Sequence, residues 1–159
     1  PILGEKTSPS TIVIFSDFGC EACADDYVLL KELTQNFPKK VKIIWKGLPV
    51  TKFPFDSEPS HIYAFCANKQ NKFSAWADVA FNNQSALNEQ NLKTYTEEIG
   101  LNNEYFSTCL VSKETADYLQ NTKELAPLLN VQSVPTIFVN NNQIPTPRTL
   151  DEWKGILSL

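Results

Sequence analysis

The chain has no methionine in 159 residues, a single histidine and only five glycines. Without a Met to start translation, Pro1 is expected to mark a processing boundary. The lack of a charged leader before Pro1-Ile2-Leu3-Gly4 is then no argument against export. So few glycines exclude a collagen-like or low-complexity chain. No apolar run approaches the roughly 20 residues needed to cross a bilayer, and the longest, Ile12 to Phe15, has the length of a strand. A basic face is also missing. The net charge is −4, and Lys39, Lys40, Lys42, Lys46 and Lys52 read as solvated surface, which argues against a nucleic-acid partner. What remains is 42% hydrophobic and 11% aromatic residues, enough for the core of one globular domain and too much for disorder.

Thr11–Ser16 is β-branched and aromatic between turn residues, and predicts a buried central strand. From Cys20 the period changes: Cys23, Tyr27, Leu30 and Phe37 recur at three- and four-residue steps, the pattern of a helix that Pro38 stops. Val41–Lys46 alternates as a second strand, which makes a β-α-β unit with parallel strands and a right-handed crossover. Pro49, Pro54 and Pro59 mark a loop. Beyond it Ile62, Phe65, Cys66, Phe73, Trp76, Ala77 and Ala80 form an apolar stripe, followed by amphipathic helices over 87–99, 103–110 and 113–125. Gly100 suits a left-handed cap, and Pro127 should end the last of these helices near Ala126. Strand pattern returns at Thr136–Asn140, turns at Asn141-Asn142 and continues over Gln143–Pro145. A final helix follows, capped by Thr149 with Glu152 and expected to turn Trp153, Ile156 and Leu157 inward.

Cys20-Glu21-Ala22-Cys23 carries the chemistry. A Cys-x-x-Cys is compatible with zinc, with a structural loop or with redox cycling, and its context separates these. Zinc would need two further ligands, and Cys66, Cys109 and His61 do not stand at paired zinc spacing, so no metal is expected. Cys20 instead sits where a hydrophobic strand ends and a helix begins. There the free N–H groups and the positive end of the helix dipole stabilise a thiolate. Cys23, one turn on, points into the core stripe. Cys20 is therefore the expected nucleophile and Cys23 the resolving thiol. Glu21 and Ala22 between them should tune the thiol: a carboxylate near Cys20 disfavours its thiolate and opposes the dipole.

Phe15-Ser16-Asp17-Phe18 before the pair, Cys66-Ala67 with Phe73 and Trp76, Phe106 with Cys109-Leu110, and Val134-Pro135-Thr136-Ile137-Phe138-Val139-Asn140 resemble, in this order, the DsbA-like branch of the thioredoxin superfamily. The resemblance implies an α/β, thioredoxin-like fold with an inserted all-helical domain, divided here as 1–55 plus 126–159 around an insert at 56–125. It implies thiol–disulfide exchange with extended protein substrates outside the cytoplasm, in a periplasm or on a membrane-anchored protein. It also implies a DsbB-like or equivalent membrane redox partner and no cofactor. Val134-Pro135 would be a cis peptide facing the cysteines, with the Val134 backbone pairing to substrate. Two departures stand out. Ile14 occupies the place, six before the first Cys, where relatives commonly carry a buried acid, and Asp17 is at a different position. Glu21-Ala22 also replaces the Pro-His of strongly oxidising members, which predicts a less oxidising disulfide. Reductase or isomerase service, or a peptide-binding module without turnover, are the rival readings.

Cys66 and Cys109 each lie on an apolar face, either as two buried free thiols or, the favoured reading, as a structural disulfide. His61, at a helix start far from Cys20 in sequence, is expected at the surface or in a capping role. Trp45, Trp76 and Trp153 are expected in the core.

Overall fold

In the computed structural model, which describes residues 1–159, both faces of one strand are covered. This strand, β2 (Ser10–Ser16), turns Ile12 and Ile14 to one side and Phe15 to the other, all fully buried. A strand enclosed on both faces reads as a near-continuous apolar run, here Ile12 to Phe15. β2 runs parallel to β3 (Val41–Gly47) in the register Ser10↔Val41 to Ser16↔Gly47, and the helix α1 (Glu21–Asn36) joins the two. β4 (Thr136–Val139) lies antiparallel on the other side of β2, with Phe15 opposite Thr136, and β5 (Asn142–Ile144) pairs with β4. The sheet order is β1-β3-β2-β4-β5.

These registers place the C-terminal ends of β2 and β3 beside the start of β4. The Leu48 amide donates to the Ser16 carbonyl at 2.9 Å, so the segment after β3 begins directly alongside the segment after β2. Ile12, Ile14 and Cys23 belong to one buried cluster, whereas Phe15 packs with Leu48, Ala126 and Val131 on the opposite face.

Between β3 and β4 come α2 (Glu58–Lys69), α3 (Phe73–Asn82), a 3₁₀ turn at Gln84–Ala86, α4 (Glu89–Glu98), α5 (Asn103–Leu110) and α6 (Lys113–Leu128). Side-chain caps define three of the helix starts: Asn88, Asn102 and Ser112 accept from the amides of Asn91, Tyr105 and Thr115. Gly100 follows α4 with φ +68°, the left-handed geometry expected of it. The last helix, α7 (Leu150–Leu157), is capped by Thr149, whose hydroxyl accepts from the Glu152 amide at 3.2 Å.

The structure differs from the sequence expectations in several respects, one being that the hairpin between β4 and β5 turns on Asn140-Asn141, both at positive φ, with Asn142 already in β5 opposite Val139. A short strand, β1 (Ile2–Gly4), pairs antiparallel with β3; three residues are too few to show a period. Pro127 does not end α6 at Ala126 but lies in its last turn, where only the bond to the Lys123 carbonyl is forgone and the Leu129 amide still reaches the Leu125 carbonyl at 3.1 Å. In α7 only Trp153 is buried, and Ile156 is 45% exposed. Leu157, four residues after Trp153, packs against the core in its place.

Candidate redox site

Where β2 ends, four residues turn the chain into α1. The Cys20 amide donates to the Asp17 carbonyl at 3.2 Å, and the Gly19 amide donates to Asp17 Oδ1 at 3.2 Å. Phe18 anchors this turn. It is fully buried against Phe81, Trp45 and His61, with ring centroids 5.0, 5.8 and 4.8 Å away. Gly19 is required by close approach, since a Cβ there would stand 2.6 Å from the Thr51 Cβ.

Cys20 is the N-cap of α1. Its Sγ accepts from the Cys23 amide at 3.2 Å, the role a Ser or Asp oxygen usually takes. When the pair is reduced, that amide and the positive end of a 16-residue helix favour the Cys20 thiolate. Cys20 is half-buried and Cys23 wholly buried; the two are joined as a disulfide with their Cα atoms 5.2 Å apart. Glu21 is exposed in the first turn of α1, and Ala22 is partly covered. The Val134 carbonyl approaches to 3.8 Å from Cys20 Sγ across the gap between β2 and β4, and the Val134–Pro135 peptide is cis. Both Val134 and Pro135 are half-buried.

Behind the turn lies a buried polar cluster. Asp17, with no exposed surface, accepts at Oδ1 from His61 Nε2 at 3.0 Å and at Oδ2 from the amides of Val50 and Thr51 at 2.9 and 2.7 Å. Burial alone would raise this carboxyl, but the hydrogen bonds from His61 and from the Thr51 amide outweigh it. They hold Asp17 well below the usual carboxylate range. His61 is therefore neither at the surface nor a cap, contrary to expectation: it is 1% exposed and packs against Gly47, where a Cβ would strike its ring. Its place four residues before Phe65, on the buried stripe of α2, is the signal that could have revealed this.

Gln84, from the 3₁₀ turn after α3, donates from Nε2 to the carbonyls of Phe18 and Cys20 at 2.8 and 2.9 Å. Nothing in the local sequence marks it. Away from the site, Cys66 and Cys109 are paired, with Cα atoms 5.7 Å apart. Thr115 Oγ1 lies 3.6 and 3.5 Å from their sulfurs and donates to the Cys109 carbonyl at 2.7 Å.

Residues 1–158 match the family model described as Thioredoxin. This chain belongs to the thioredoxin family. Within it the chain is DsbA-like. It is 30% identical over 156 residues to a "Probable disulfide bond formation protein D" of Bacillus anthracis, covering 88% of this chain and 69% of that protein. The thiol-disulfide exchange protein α-DsbA2 of Wolbachia pipientis superposes with TM-score 0.88 at 17% identity, over 99% of this chain and 85% of that one. A thioredoxin-like oxidoreductase of Silicibacter pomeroyi DSS-3 gives TM-score 0.87 at 20% identity, over 99% and 90%. These two likenesses show the same α/β fold with helices set between β3 and β4. With its Cys-x-x-Cys at the start of α1, this thioredoxin-family chain is a thiol–disulfide oxidoreductase.

Proposed function

We propose that the chain oxidises dithiols in extended, exported protein substrates, with Cys20 forming the mixed disulfide and Cys23 as the resolving thiol, which leaves when a substrate attacks and closes back on Cys20 when the reduced pair is reoxidised. The observation that carries this reading is the asymmetry of the pair: one sulfur reachable at a helix N-terminus beside a backbone carbonyl, the other sealed behind it. A substrate thiolate attacks Cys20 Sγ, the Cys20–Cys23 bond breaks, and the electron pair leaves on Cys23, which takes a proton. A second substrate thiolate then attacks the substrate sulfur of the mixed disulfide and expels Cys20 as a thiolate. The substrate loses two electrons and the Cys20–Cys23 pair gains them.

The half-buried Val134–Pro135 segment lines the approach to Cys20, where a substrate strand pairs with the Val134 backbone. The reduced pair returns its electrons to a DsbB-like or equivalent membrane redox partner outside the cytoplasm. The description of the Bacillus relative as a disulfide bond formation protein supports the oxidising direction.

Glu21, exposed in the first turn, works against the Cys20 thiolate and so against a strongly oxidising disulfide. This supports a second reading, reductase or isomerase service. Equilibrating the protein with glutathione buffers decides how far Glu21 pulls. A potential more negative than about −120 mV is expected, and one at or above that value overturns the weaker-oxidant reading. Oxidation of a reduced two-cysteine peptide by the wild type but not by Cys20→Ser tests the exchange itself. Equal rates would refute it.

A further inference from the structure

On α1, three residues beyond Cys23, lies an acid that the exchange chemistry above leaves unused. Asp26 is 2% exposed, and its Oδ2 is buried with no hydrogen-bond partner. Residues three apart on a helix have their Cβ atoms about 5–6 Å apart, so Asp26 adjoins Cys23 on the buried side of α1. A buried carboxyl oxygen left unpaired costs stability, and such groups gather at functional sites. Burial pushes the Asp26 carboxyl up to about 6. Arg148, ahead of α7, opposes the rise, and Asp25, beside it on α1, adds to it. In β2, Ile12 and Ile14 share the buried cluster of Cys23 and have no proton to exchange; Ser16, at the end of the strand, has its Oγ buried without a partner.

Cys23 has no solvent contact, yet its sulfur must lose a proton before it can attack and gain one after it is displaced. We propose that Asp26 is the residue that accepts and returns the Cys23 proton. This deepens the dithiol-exchange reading and rests on it.

In the resolving direction the Asp26 carboxylate takes the Cys23 S–H proton. The Cys23 thiolate attacks Cys20 Sγ of a mixed disulfide, the Cys20–partner S–S bond breaks, and the partner sulfur leaves as a thiolate with the electron pair. The protein pair is oxidised by two electrons and the partner reduced, and the proton on Asp26 passes to water. In the opposite direction protonated Asp26 delivers its proton to the displaced Cys23 sulfur.

The test mixes reduced protein with oxidised glutathione and quenches in acid. Mass spectrometry then follows the Cys20–glutathione mixed disulfide from pH 5 to pH 8. In the wild type, decay of the mixed disulfide should slow as the pH drops below about 6, following the Asp26 carboxyl. In Asp26→Asn the mixed disulfide should form at the wild-type rate but decay on the order of 10²-fold more slowly at pH 7. Its pH dependence should move up toward that of a thiol. Asp26→Leu, which removes the acid but fills the core, should show the same slow decay in a protein at least as stable as the wild type. Either variant resolving at the wild-type rate overturns the proposal, as does slowing by one constant factor at every pH. If the wild type forms no Cys20 mixed disulfide at all, the exchange reading falls and this assignment with it. Wild-type exchange with unchanged variants removes only the role of Asp26.

Discussion

Asp17 and Asp26 are both buried carboxyls, yet they pull stability in opposite directions with pH. Asp17 receives N–H groups from Gly19, Val50, Thr51 and His61, so its charged form is the favoured one. Its folded-state pKa lies below the unfolded value of about 3.9. Its contribution is therefore fully present above about pH 4 and is lost as the pH falls below that. Asp17→Asn places an amide donor among these donors and breaks the pair with His61. It should lower unfolding free energy by about 3–5 kcal/mol at pH 7, read by urea titration. Asp26 behaves inversely. Its carboxyl, pushed up to about 6, keeps its proton in the folded state while the unfolded chain loses one. Stability therefore declines as the pH rises from about 4 to about 6. The stability gained by Asp26→Leu over the wild type should grow across that window by about 2–3 kcal/mol and stay level above it. A gain independent of pH would show that Asp26 does not titrate in this range.

At the scale of elements, the turn between β2 and α1 is held from two sides. The loop after β3 grips Asp17, and the 3₁₀ turn after α3 grips the Phe18 and Cys20 carbonyls through Gln84. Gln84→Ala should cost about 1–3 kcal/mol by leaving these carbonyls under-satisfied, and Gln84→Glu should cost more because it turns an acceptor toward two acceptors. Urea unfolding of both variants checks the order, and a Glu variant as stable as wild type would contradict it. The same turn shows which elements were legible in the sequence. β2, β3, α1 and α5 announce themselves through period, Pro and cap residues, and Cys20 at the strand-to-helix boundary follows from those periods. Gln84 does not, because it acts on residues more than 60 positions away and such contacts leave no local rhythm, while for His61 the rhythm of α2 carries its burial but not its partner Asp17. β1 escaped for the opposite reason, being a strand that only the edge of β3 defines.

Across the molecule, a single cluster of 30 buried residues runs from Ile12 and Ile43 of the sheet through Trp45 to Phe73, Trp76 and Phe106 of the helices. Continuity of that kind predicts one cooperative transition. Tryptophan fluorescence and far-ultraviolet circular dichroism should give the same urea midpoint, and two separated midpoints would contradict it. The Cys66–Cys109 link closes a stretch of 43 residues. The Cys66→Ala/Cys109→Ala double variant should therefore lose up to about 4 kcal/mol while both probes still move together. The grip of Gln84 also bears on protein engineering. A chimaera that keeps this sheet and borrows its helices from a cousin would inherit a slack turn at Cys20 unless the donor segment brought an amide to the same spot.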